Sequence, residues 1–213
     1  MLIPNDLATT IRTGMGFPSP NSTQLIGWAS GVITHLETSG IVNFLPGTIT
    51  GVTAPGSSLS NGAGFGGIVS GLSGSVMAPL VASGVGYPGV SSILQIYGNQ
   101  IALHVMTGLV TFAPGNVTGT CTNTPLSPGP LVAGAASNGI LNGLSGPTLA
   151  GLIHAAVGYP GSVSSKLTQF CTALCNYLMT NASITLLTGT VTGTCPTGGG
   201  PLSAGVATGG MFS

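Results

Sequence analysis

Apolar positions along the chain alternate between two periods. Leu25, Trp28, Ala29, Val32 and Leu36 fall at helical spacing, the stripe of a helix that buries one face. The stripe returns at Leu167, Phe170, Cys171, Leu174 and Leu178, and more loosely at Ile93, Ile96, Tyr97, Ile101 and Val105. After each stripe the period drops to two. Ile41-Val42-Asn43-Phe44 and Thr48-Ile49-Thr50 flank Pro46-Gly47, a pair that supplies the fixed φ and the positive φ of a type II turn. A β-hairpin is therefore predicted there and in the two matching stretches. Ahead of each long helix the sequence predicts a shorter one. Asn5 or Asp6 can cap the first, Ser145 with Pro147 just inside suits the third, and Gly158 marks its C-terminal end.

The recurrence extends to the letters themselves. Val85-Gly86-Tyr87-Pro88 is repeated as Val157-Gly158-Tyr159-Pro160 and approximated by Met15-Gly16-Phe17-Pro18, and Gly71-Leu72-Ser73-Gly74 returns as Gly143-Leu144-Ser145-Gly146. Downstream, Phe44-Leu45-Pro46-Gly47-Thr48-Ile49-Thr50-Gly51 matches Phe112-Ala113-Pro114-Gly115-Asn116-Val117-Thr118-Gly119, with a third version at Leu187 to Gly193. The chain thus reads as an α+β fold of three tandem repeats, residues 1–66, 67–138 and 139–213. Each module holds a short helix, a longer amphipathic helix, a β-hairpin and a Gly-rich extended tail. So small a unit has little core of its own, and fusion lets three copies share one, around a pseudo-threefold axis in preference to a row. Either arrangement is expected to leave hairpin edges and Gly-rich arms free to pair with neighbouring chains.

Charge changes the picture. Soluble domains carry about 25% charged residues, whereas this chain carries 2%: Asp6, Arg12, Glu37 and Lys166. Little electrostatic repulsion then opposes association. Two distant cations cannot supply the several phosphate contacts that nucleic acid demands, which excludes it as a partner. Ile68 to Val85 is uncharged and fairly apolar, but Gly, Pro and Ser interrupt it and no Lys or Arg flanks it, so a membrane span is not expected. The opening residues Met1 to Asp6 lack the charged and apolar regions of a secretory signal, which predicts synthesis in a cytoplasm.

Few groups can move protons or attack bonds. His35 and His104 fall near the ends of long helices and His154 in a short one, which suggests no shared repeat position, and each is read as structural. Cys121 and Cys195 occupy one place in modules two and three, within Thr-Gly-Thr-Cys, where module one has Thr53. Cys171 and Cys175 are one helical turn apart, a poor geometry for pairing with each other. The spacing lacks the tight knuckles of a zinc site. Buried free thiols are the simplest reading of the four, with disulfides next, Cys121 and Cys195 being the candidates for links between chains. Gly62 to Gly67 has no strand before it and no Lys after it, so it carries no phosphate-loop reading. The sequons at Asn21, Asn116 and Asn181 are expected by chance in so Thr-rich a chain. No catalytic residue, cofactor or metal is expected.

The module, with its Leu-Ala-rich short helix, a second helix ending Gly31-Val32-Ile33-Thr34-His35-Leu36, a Val/Thr-rich hairpin and a Gly-Thr-Gly tail, resembles small virion proteins of tailed bacteriophages. That resemblance implies a structural component of head, neck or tail, located in the virion, with major capsid or tail proteins and copies of itself as partners. Those proteins carry one module; triplication suggests a fused trimer suited to local three-fold or six-fold symmetry. A capsid decoration or cement protein fits this best, a tail or baseplate component next, and a self-assembling extracellular filament subunit is the rival outside the family.

Overall fold

Six helices form where the helical patterns fall. In the computed structural model, which describes residues 1–213, the short helices are α1 (Pro4–Gly14), α3 (Gly74–Val85) and α5 (Gly146–Val157), and the long ones are α2 (Thr23–Ser39), α4 (Ser92–Met106) and α6 (Ser165–Asn181). Serine starts each long helix. Ser22, Ser91 and Ser164 accept a hydrogen bond from the backbone N–H of Leu25, Leu94 and Leu167 at 3.1, 3.1 and 3.2 Å, which satisfies one of the unpaired donors of a first turn. Ser145 caps α5 as the sequence predicts, and Gly158 ends it in the left-handed region at φ 77°. The expected cap of α1 is corrected: Ile3 stands at that position without a side-chain bond, and Pro4, needing no N–H partner, begins the helix. Asn5 and Asp6 lie inside the first turn.

Residues 1–40, 71–108 and 143–182 gather into one compact unit containing all six helices. Each helix packs on its neighbours in sequence, and α6 packs on α1, so the helices form a closed ring. Its core includes Leu7, Ile11, Leu36, Met77, Ile101 and Leu174. The α2–α3 crossing is so close that a methyl group on Gly27 or Gly84 would collide with the other's carbonyl. No helix is long and apolar enough to cross a membrane.

Residues 41–70, 109–142 and 183–213 form the second unit, a closed six-stranded antiparallel barrel. Its strands are β1 (Ile41–Thr53), β2 (Ser60–Ser70), β3 (Leu109–Cys121), β4 (Gly129–Asn142), β5 (Ser183–Cys195) and β7 (Ser203–Phe212), hydrogen-bonded in that order with β7 returning to β1. The two-residue β6 (Gly200–Pro201) pairs with Val52 and Thr53. Strands β1, β3 and β5 share one pattern of buried and exposed positions from their second residue on. At matching places they bury Phe44, Phe112 and Leu186, then Ile49, Val117 and Val191. The rings of Phe44 and Phe112 meet at 5.4 Å between centroids, and side chains of this size fill a barrel of so few strands.

The barrel corrects two expectations. Pro46-Gly47 is not a hairpin turn but lies inside the continuous β1, where the register against β2 shifts between Asn43 and Ile49. Gly47 at φ +85°, matched by Gly115 at +90° and Gly189 at +89°, provides the local bend of a bulge. The second strand of each hairpin is the Gly-rich tail itself. Glycine is required there because a methyl group at Gly62, Gly134 or Gly205 would strike the backbone carbonyl of Val117, Val191 or Ile49 on the adjacent strand. The tails are therefore consumed in closing the barrel, and no ladder edge is left free for neighbouring chains. The module boundaries at 66 and 138 fall within β2 and β4.

Candidate functional site

The stripes that predict buried helix faces divide into two parts. Toward the C-terminal ends of the long helices they are core: Leu36, Val105 and Leu178 are buried. Toward the N-terminal ends they open into a cleft. Trp28, Tyr97 and Phe170 stand at one and the same distance beyond the caps Ser22, Ser91 and Ser164, and none of the three is fully buried. Trp28 and Phe170 meet edge to face at 5.1 Å, a favourable aromatic geometry.

Two lobes open on either side of Tyr97 and Phe170. One, of about 610 Å³, is apolar and lined by Leu25, Trp28, Val85, Tyr87, Ile93 and Leu94, among others. The other, of about 500 Å³, brings together Met15, His154, Tyr159 and Lys166. Both volumes lie in the range of ligand sites. Burial and the neighbouring Tyr159 hydroxyl raise the pKa of Tyr97, keeping it a neutral donor. The Nε2 atom of His154 is buried without a hydrogen-bond partner, a costly arrangement for a polar atom.

Both cations of the chain point to this end of the helical unit. Lys166 donates from Nζ to the Met15 carbonyl and stands 5.4 Å from the centre of the Phe17 ring. Arg12 donates to the Phe17 carbonyl at 3.2 Å and to Asn21 Oδ1 at 2.8 Å. Neither carboxylate lines either lobe; burial raises the pKa of Tyr177 near the end of α6, and the charges of Asp6 and Glu37 add to that effect.

Three clasps hold consecutive helix pairs. His35 accepts at Nε2 from the backbone N–H of Ser73 at 2.9 Å, and His104 accepts at Nε2 from Ser145 at 3.0 Å. Tyr177 closes the ring, accepting from the N–H of Ile3 at 2.7 Å and donating to the Ile3 carbonyl at 2.9 Å. All three lie equally far beyond their serine caps. The expectation that the histidines share no position is therefore corrected for His35 and His104, and only His154 stands apart. Burial lowers the pKa of both clasp histidines, and a backbone N–H aimed at Nε2 requires the neutral ring.

The cysteines separate into a pair and two singles. Cys121 and Cys195, at the ends of β3 and β5, are bonded to each other within the chain. Both are buried, which corrects their assignment to links between chains. Thr53, at the matching place of β1, donates instead to the Gly200 carbonyl at 2.9 Å. Cys171 and Cys175 are buried free thiols. Burial, and for Cys171 also the adjacent Cys175, pushes their pKa values up to about 12 and about 11, so neither is a thiolate nucleophile at neutral pH. No cluster of three His, Cys, Asp or Glu is close enough to hold a metal ion.

No family model, curated protein or solved structure matches this chain. The cleft was hidden in the sequence because a half-exposed aromatic at stripe spacing reads the same as a buried one. The available signal was Trp28, Tyr97 and Phe170 at one repeat position, beside the Phe17-Pro18, Tyr87-Pro88 and Tyr159-Pro160 turns.

Proposed function

We propose that this chain is a non-enzymatic structural component of a bacteriophage virion, a fused trimer that decorates or cements the capsid at a site of local three-fold or six-fold symmetry. The observation that carries this reading is cyclic recurrence. Gly62, Gly134 and Gly205 each approach the strand of the following module, the last one returning to the first, and His35, His104 and Tyr177 do the same among the helices. Such closure is what three separate copies of an ααββ module would achieve as a ring, here on one chain in a pseudo-threefold arrangement.

The near absence of charge supports packing against other proteins more than chemistry on a substrate. The disulfide contributes within the chain, stiffening the subunit and not linking it to others. A tail, neck or baseplate position accepts the same fused trimer. The filament reading is less well supported, since the closed barrel leaves no ladder edge through which strands would propagate. Imaging of purified particles tests the proposal: density for this chain is expected at three-fold or six-fold positions, one copy to each local trimer. Its absence from particles, or its recovery only as fibres, contradicts the proposal.

A further inference from the structure

We infer that the aromatic cleft is a docking site for an extended segment of a partner protein that carries apolar side chains next to a carboxylate. Three observations lead there. The first is sign. Both side-chain cations are directed to the Phe17 turn beside the cleft, and no carboxylate lines either lobe. An incoming carboxylate therefore meets attraction at Lys166 without a competing acid, and Lys166 spends one donor on the Met15 carbonyl, leaving others for a ligand.

The second is the division into lobes. An apolar lobe around Trp28, Leu25 and Ile93 adjoins one whose lining, though mostly apolar, adds the polar groups of His154, Tyr159 and Lys166, with Tyr97 and Phe170 common to both. A ligand spanning them needs an apolar portion and a polar portion in succession, as a peptide provides. The third is openness. Tyr87 and Phe17 are 60% and 50% exposed and Ile93 is 50% exposed, so the lobes form a trough. Small molecules bind in sites that bury most of their surface, whereas a trough accepts a chain that enters at one end and leaves at the other. Partly exposed aromatics are the side chains that dominate protein interfaces.

This inference goes beyond the virion proposal and does not depend on where in a particle the chain sits. It is tested on the full-length protein with an array of hexapeptides that carry two apolar side chains and one Asp or Glu, each matched by its Asn or Gln counterpart. Trp28 is the only tryptophan, so its emission reports occupancy of the cleft directly. Acidic members are expected to bind saturably with a change in Trp28 emission, and to lose about two- to five-fold in affinity in their amide forms, the range of an exposed charge pair. Lys166→Gln, a surface change that leaves the helix signal and melting intact, removes that difference. Tyr87→Ser weakens acidic and amide members alike. The inference is overturned if no peptide changes Trp28 emission, if acidic and amide forms bind equally, or if Lys166→Gln leaves their difference in place. Concentration-dependent self-association that buries Trp28 without peptide assigns the cleft to a second copy and overturns it too.

Discussion

The helical unit and the barrel solve the same closure problem with different chemistry. Strands close through backbone ladders, so the side chains at matching positions need only the right size. Phe44, Phe112 and Leu186 serve equally inside the barrel. Helices satisfy their backbones internally, and their ring depends on packing and on three side chains that reach a neighbouring backbone. There the chemistry differs by position: imidazole serves at His35 and His104, but a phenol at Tyr177, which both accepts from and donates to Ile3. Ile3 has no side-chain cap beside it, whereas Ser73 and Ser145 cap their own helices. A closure built on backbone tolerates different side chains at matching strand positions. One built on side chains fixes identities and makes them sensitive to protonation.

Five experiments sharpen or break this contrast. The largest effect is expected from Phe112→Ala, which empties the middle of the barrel and costs about 3–5 kcal/mol, read from the urea midpoint. A loss below 1 kcal/mol would mean that the barrel interior is not a packed core. Next comes the disulfide, which joins positions separated by 74 residues. Replacing Cys121 and Cys195 together by Ser is expected to cost about 2–4 kcal/mol, with protection lost first in barrel amides during hydrogen exchange. Equal loss in the helices would erase the distinction between the units.

Third is His35→Phe, which leaves the part-buried N–H of Ser73 unpaired and costs about 1–3 kcal/mol in thermal unfolding. The same clasps carry the pH response. Burial holds both imidazoles below their ordinary value of 6.5 in the folded protein. Their contribution is complete above that value and is lost as the pH falls through the lower folded values. Asp6 and Glu37 are the only side-chain carboxylates, so acid is expected to loosen helix amides before barrel amides as the pH falls below the ordinary imidazole value of 6.5. The double variant His35→Gln, His104→Gln flattens that response. The smallest effect is Ser164→Ala, about 1 kcal/mol from loss of the α6 cap, seen as a modest shift in melting temperature.

Much of the fold was legible where a local signal has one meaning. Serine with a proline just inside the helix marked Ser145, and alternation marked the first half of β1. The Pro-Gly pair misled because positive φ at Gly47 serves a turn and a bulge equally, and only the pairing of β1 with two neighbours decides between them. The Gly-rich tails looked like free arms because the reason for their glycines, the carbonyls of Val117, Val191 and Ile49, lies on a strand distant in sequence. The pairing of Cys121 with Cys195 was likewise set by barrel closure. His35 and His104 were within reach of the sequence alone, once counted from Ser22 and Ser91.

Circular permutation tests the fused-trimer account most directly. Met1, Gly71 and Gly143 precede the buried residues Leu2, Leu72 and Leu144, and on that account they are three equivalent starts. With Ser213 joined to Met1 by a short linker, chains opened before Gly71 or before Gly143 are predicted to fold as monomers with one cooperative melt close to that of the parent. Unfolded chains, or chains that recover structure only by exchanging segments between copies, would contradict it.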